Sequence, residues 1–257
     1  MLFRSHSSFP FYVDGDLDGY GAGTSTVSVC AVNATTPPSG YSLTNDDCND
    51  ANALFNPTNP CPTSSIVNLK LFVQGYYTGS GTMASVKNNQ DGVSAIDEVE
   101  DVVVELHDAT TYALVATTIA TLKTNGTAVC TFTSAPSGSF YIAVKGSNLV
   151  QTWSAAPQAV GSTALSFDFS TSDTQAYTGG SQASVVEVES GVWGFYTGDS
   201  NHDDNVDLSD VGDVSNDSDA SNFGVLSTDL NGDGVVDLSD VSIVTNSSDA
   251  SIYSQHP

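Results

Sequence analysis

Residues 65 to about 195 carry a two-residue period. In "NLKLFVQ", Leu69, Leu71 and Val73 fall on one face and Lys70, Phe72 and Gln74 on the other, the alternation of a half-buried strand. "EDVVVELHD", "YALVATTIATLK", "TAVCTF", "SFYIAVKG", "TALSFDFS" and "ASVVEVESGVWGFY" follow, with turn residues between them. Asn-Gly readily supplies positive φ angles, so "TNG" at 124–126 predicts a hairpin turn. Seven or so short strands with this punctuation predict a mainly β chain built on an antiparallel, immunoglobulin-like β-sandwich.

The period is lost on both sides. Residues 1–64 are rich in Asn, Asp, Pro, Gly and Cys, which predicts a loop-dominated, cross-linked segment. In residues 196–257 acids alternate with Val and Leu in a repeating order. "DSNHDDNVDLSDVGDVSNDSDASNF", from Asp199, aligns without a gap on "DLNGDGVVDLSDVSIVTNSSDASIY", from Asp229, and more than half the positions are identical. Three segments result: 1–64, 65–195 and 196–257.

Charge narrows the partners. The 257 residues hold 5 basic and 30 acidic side chains, a formal net charge of −25. Nucleic-acid binding rests on Lys and Arg against phosphates, and anionic membranes need the same residues; both are excluded, and cations are favoured. From Tyr196 to Pro257 there is no Lys or Arg at all. No apolar run is long enough to cross a membrane. "MLFRSHSSFPFY" lacks the apolar core of a signal peptide, so a secreted protein with this sequence would have an export signal removed or missing here.

The two repeats have the ligand order of a twelve-residue calcium loop, with oxygens at positions 1, 3, 5, 7 (a carbonyl), 9 and 12 and Gly at 6. In the first copy these are Asp199, Asn201, Asp203, the Asn205 carbonyl, Asp207 and Asp210. In the second they are Asp229, Asn231, Asp233, the Val235 carbonyl, Asp237 and Asp240. Val206 and Val236 stand at position 8, where an apolar anchor is wanted. Gly234 fills position 6 of the second loop, but Asp204 stands there in the first, which predicts a weaker first site. Hard oxygen donors of this kind suit calcium.

The pair resembles the dockerin type I family over about residues 198–253. That family also places Asp at position 12. The resemblance implies two calcium loops, each followed by a helix, two bound ions and, in many members, docking onto a cohesin.

The N-terminal segment carries a related pattern. In "YVDGDLDGYG", Asp14, Asp16 and Asp18 take positions 1, 3 and 5, Gly19 position 6 and Tyr20 position 7. Position 12 is Ser25, so a closing carboxylate must come from elsewhere, and "NDDCND" offers Asp46, Asp47 and Asp50. Residues 12–58 resemble the Asp-rich metal-binding motif of thrombospondin-type-3-like bacterial surface proteins. In all about three calcium ions are expected, cancelling six negative charges where crowding is worst.

Four cysteines, Cys30, Cys48, Cys61 and Cys130, permit three pairings and fit no zinc spacing. Disulfides in an extracellular or cell-surface setting are the expected use. A Cys30–Cys48 link would tie the two halves of the N-terminal motif together; Cys61 and Cys130 either join the first segment to the sandwich or stay reduced.

Catalysis has little support. His6, His107, His202 and His256 have no nucleophile beside them in sequence, and no hydrolase, zincin or phosphate-loop motif occurs. Glu98, Glu100, Glu105, Glu187 and Glu189 read as exposed strand positions rather than a glycosidase pair. Trp153, Trp193, Tyr76 and Tyr77 read as core caps rather than a sugar-stacking surface. The sequence therefore predicts a non-enzymatic, calcium-stabilised structural protein that assembles with copies of itself into an extracellular fibre or surface structure. An extended "SSFPFYV" adding to a neighbour's sheet edge would drive that assembly. The alternatives are a docking or adhesion module for a cohesin-like receptor, and a glycan-binding module.

Overall fold

The computed structural model describes residues 7–48, 50, 51, 53, 56–58, 64–133, 138–180 and 184–257. These form two compact units, one within residues 1–62 and one from residue 63 onward.

The first unit is a three-stranded antiparallel sheet of β1 (Ser7–Val13), β2 (Ala22–Ala31) and β3 (Tyr41–Ser42), in the order β2-β1-β3. "SSFPFYV" is thus β1, paired from Ser7↔Ala31 to Phe11↔Val27 within its own sheet. On its other side β1 pairs with β3 only at Tyr12 and Val13, so among the described strands none covers the far side of Ser7–Phe11; β2 forms the sheet's outer edge and is exposed over nearly all its length.

The second unit continues with β4 (Ser65–Lys70), β5 (Tyr77–Gly79), β6 (Thr82–Met83), the short helix α1 (Val86–Asp91), β7 (Glu98–Asp108), β8 (Leu114–Lys123), β9 (Thr127–Phe132) and β10 (Gly138–Lys145). Then come β11 (Thr152–Trp153), β12 (Gln158–Val160), β13 (Leu165–Asp168), β14 (Val185–Glu189), β15 (Val192–Phe195), α2 (Leu208–Asp219) and α3 (Leu238–Asp249). One sheet runs β11-β10-β7-β8, with β12 also on β10; the other runs β13-β4-β9. Inward residues of both, among them Val67 and Leu69 of β4, Val102, Val104 and Leu106 of β7, Phe132 of β9 and Ile142 and Val144 of β10, share one buried core. The molecule is mainly β, and this pair of sheets is a β-sandwich.

Three local readings change. The "TNG" turn does not close a hairpin: β8 pairs with β7 and β9 with β4, so the turn carries the chain from one sheet to the other. Gly126 sits there at φ +85°, and its carbonyl accepts from Leu71 N–H. The alternation in "NLKLFVQ" stops at Lys70, because the chain then turns inward and buries Phe72 along with Leu71 and Val73. β13 runs parallel to β4.

α2 and α3 form although Ser, Asn and Asp are poor inside helices. Each begins with a reciprocal cap: Asp207 and Asp237 accept from the third turn residue while Asp210 and Asp240 accept back from the cap, satisfying amides that a helix start leaves open. Val214 and Val244 bury one face of each in a second core with Val206, Leu230, Val236 and Ile252. The repeats meet by reciprocal pairing, Asn205 with Tyr253 and Val235 with Phe223, which are equivalent residues exchanged between copies.

Candidate metal centres

Three loops adopt one backbone path. Residues 4 and 6 of each lie in the left-handed region: Leu17 and Gly19, His202 and Asp204, Gly232 and Gly234, with φ between +62° and +96°. This turns successive amides inward onto the first carboxylate. Asp14 accepts from Leu17 and Gly19, Asp199 from Asp203 and Asp204, and Asp229 from Gly232, Asp233 and Gly234, all at 2.8–3.2 Å. The third residue, Asp16, Asn201 or Asn231, accepts from the N–H of the fifth, and the fifth, Asp18, Asp203 or Asp233, from that of the seventh, Tyr20, Asn205 or Val235.

In the C-terminal loops the ends are buried and the middle is open. Asp210 and Asp240 are both 0% exposed, and Asp199 and Asp229 are buried beside them; Asp203, Asn205 and Asp207 are exposed, as are Asp233, Val235 and Asp237. Asp240 accepts from the amides of Leu230, Asn231 and Asp237, and Asp210 from those of Ser200, Asn201 and Asp207. A carboxylate oxygen can accept at two sites, so these contacts aim each carboxylate without exhausting it.

The electrostatics call for positive charge. Burial, then the neighbouring Asp210 charge, pushes the Asp199 carboxyl up to about 6. Burial likewise raises Asp229 and Asp240. Asp207 and Asp237 are lowered by hydrogen bonds from Ser209 and Ser239. Among the described residues every ion pair to a carboxylate involves Lys87, Lys123, Lys145 or His107, and none reaches these loops. Buried carboxylates without a counter-charge are costly, and a donor set of carboxylate, amide and carbonyl oxygens fits a hard cation.

In the N-terminal loop the donors converge further. Asp14, Asp16 and Asp18 each offer an oxygen within 4.8 Å of the others, the one such carboxylate group among the described residues. Oδ2 of Asp16 and Oδ2 of Asp18 are buried with no hydrogen-bond partner. Burial raises Asp16, and the charges of Asp18, Asp47 and Asp14 add to it. Of the three candidate closing residues, Asp47 is buried and close enough to act on Asp16. Asp50 instead accepts from Gly15 N–H at 2.7 Å, and Asp46 is exposed.

The cysteines differ from the expectation. Cys30 is a free, exposed thiol and Cys130 a free, buried one, so the Cys30–Cys48 link is not made. Cys48 is disulfide-bonded; Cys61 lies outside the described residues.

Support for the second loop comes from residues the sequence pattern passed over. On α1, Gln90 donates to Asp229 Oδ2 at 2.9 Å and Asn89 to the Gly232 carbonyl at 2.7 Å. Asn148 donates to the Asp229 carbonyl and to the Tyr76 hydroxyl. These partners stand 81 to 143 positions away from the loop residues they hold, beyond any local signal.

The other candidates are occupied. His107 lies 3.0 Å from both Glu105 and the Tyr112 carbonyl and stacks on Trp153. Glu98 pairs with Lys123, Glu187 accepts from Gly191 and Glu189 from Tyr77 and Ser80. Glu100 is buried rather than exposed. Tyr76 and Trp153 are buried too, so the four aromatic residues named above present no common stacking face.

No family model and no curated protein matches the chain. Among solved structures it is similar to chains from two crystal structures of a type II Cohesin-X-Dockerin complex from Acetivibrio cellulolyticus. The N-terminal interface mutant gives 17% identity and a TM-score of 0.41, the C-terminal interface mutant 18% and 0.39; each covers 71% of this chain and 94% of the other. At this distance the likeness decides neither fold nor partner.

Proposed function

We propose that this chain is a non-catalytic, extracellular attachment module, stiffened by calcium, whose repeat pair docks onto a protein receptor. One observation carries the docking reading. Leu208 and Leu238, equivalent residues at the first turn of α2 and α3, are 81% and 76% exposed. Each directly follows a loop acid, Asp207 or Asp237. Each copy of the repeat thus holds the same apolar side chain in water at the same place, and the pair would offer a receptor two equivalent apolar contacts.

Calcium would be held by Asp199, Asn201, Asp203, the Asn205 carbonyl, Asp207 and Asp210, by their equivalents from Asp229 to Asp240, and by Asp14, Asp16, Asp18, the Tyr20 carbonyl and Asp47. Its contribution is positive charge that the loops lack. The chain's own part is to aim these oxygens through inward amides and to fix the start of each helix through the capping acids, which holds Leu208 and Leu238 in place.

The test is surface plasmon resonance of the full chain over a panel of immobilised cohesin modules in millimolar calcium. Binding that disappears with chelator and with Leu208→Asp/Leu238→Asp supports docking; no binding to any module, or binding indifferent to both, overturns it.

A second reading, self-assembly into a fibre, is favoured by the long exposed outer edge of β2, since an unpaired edge strand is a template for another chain. Sedimentation velocity in calcium separates the two: large species that dissolve on chelation support assembly, and a compact monomer excludes it.

A further inference from the structure

We propose that the cleft beside Glu100 is a binding site for a neutral polyhydroxylated ligand, a hexose-sized saccharide unit. The cleft has a volume of about 510 Å³ and is lined by Glu100 and Val103 of β7, Lys145 of β10, Ser147, and His202 and Val225 of the repeat pair. That is within the range of small-ligand pockets, roughly 300–1,000 Å³.

Glu100 is the reason to expect a ligand. It lies on the core side of β7, in line with Val102, Val104 and Leu106, and is 6% exposed. Its Oε2 accepts from Ser147 N–H at 2.6 Å, while its Oε1 is buried with no partner. An unsatisfied buried acceptor carries a desolvation cost that a donor from a ligand would remove. A Cβ on Gly146 would stand 2.7 Å from Glu100 Oε2, so the carboxyl packs closely over this glycine.

The lining selects the ligand's charge. Lys87 pairs with Asp101 at 2.7 Å and Lys145 with Glu105 at 3.2 Å, so each positive charge at the cleft is matched by a neighbouring carboxylate. Burial raises the Glu100 carboxyl to about 7, which makes it a poor counter-ion for a cation. What remains is a set of hydrogen-bonding groups over apolar surface from Val103 and Val225. A sugar, with hydroxyls that both donate and accept and an apolar ring face, matches that mixture. A smaller cavity of about 200 Å³ shares Lys145, Gly146 and His202 and is also lined by Asp199 and Asp204 of the first loop.

The experiment is an amide ¹H–¹⁵N titration of the full chain, in calcium, with methyl glucoside, methyl galactoside, methyl mannoside, N-acetylglucosamine and xylose. Saturable shifts at Gly146, Ser147 and Val103 are expected for at least one sugar, with a Kd on the order of millimolar. Glu100→Gln retains an acceptor for Ser147 but changes the group facing the ligand. Val225→Trp adds bulk at a 73% exposed lining position, which should crowd the cleft and leave the core unchanged. Each is expected to weaken binding by about tenfold or more. Two results overturn the proposal: no saturable shift at these amides with any of the five sugars, or binding that neither variant changes.

Discussion

Leu17, His202 and Gly232 share a left-handed backbone conformation that only glycine adopts without strain. Leu17 is also exposed, so its side chain contributes little packing to offset the strain. Leu17→Gly should stabilise the first unit by about 1 kcal/mol, read by thermal unfolding, since the strain relieved is larger than the chain entropy added. Gly234 makes the opposite case. It sits at φ +91°, and a Cβ there would come 2.5 Å from the Asn89 carbonyl. Gly234→Ala should destabilise the second unit by more than about 2 kcal/mol, because strain and clash act together.

Glu100 gives the pH dependence at this scale. Burial raises its folded pKa from 4.5 to about 7. The folded state therefore keeps a proton between those values that the unfolded chain gives up, and stability falls as pH rises through that window. The stabilisation is complete below about 4.5 and lost above about 7, a change on the order of 3 kcal/mol. Glu100→Gln should flatten this part of the denaturation profile; an unchanged slope would show that Glu100 is not buried as described.

At the scale of elements, the two C-terminal helices depend on their capping acids more than on their composition. Asp240 accepts three backbone amides while fully buried. Asp240→Ala leaves those donors unsatisfied and should cost about 3 kcal/mol or more even without cation, visible as lost helical circular dichroism. Asp237→Ala, which removes an exposed cap, should cost only about 1 kcal/mol. The loops were legible in the sequence because their chemistry is local: ligand spacing, the turn glycine and the anchors Val206 and Val236 all lie within twelve residues. Strand existence was legible for the same reason. Pairing was not. "TNG" carries the same local turn signal whether it closes a hairpin or turns a corner between sheets, and only burial of Leu122 and Ala128 against both sheets decides it. Glu100 was misread because a bulge between Glu98 and Glu100 places both Val99 and Glu100 inside, which alternation alone cannot reveal. The supports from Gln90, Asn89 and Asn148 are tertiary contacts with no sequence signature.

For the whole molecule, charge is the organising fact. A net charge of −25 works against compaction, and the second core is made of only a few Val, Leu and Ile side chains. Sandwich and repeats nevertheless form one compact unit, with the C-terminal residues bound in: Ser254 N–H donates to the Asp204 carbonyl and its hydroxyl to that of Gln151. Cations bound only by the folded state would shift its stability by mass action, so the unfolding temperature should rise with calcium; without calcium it should also rise with added salt, which screens the repulsion among the carboxylates.

The most direct test is to count calcium ions bound to the full chain by native mass spectrometry after stripping and readdition, with unfolding temperature followed in parallel. The account predicts three ions per chain, two in Asp229→Ala, and a clear loss of thermal stability on chelation. No bound calcium at millimolar concentration, or an unfolding temperature indifferent to chelator, would contradict it.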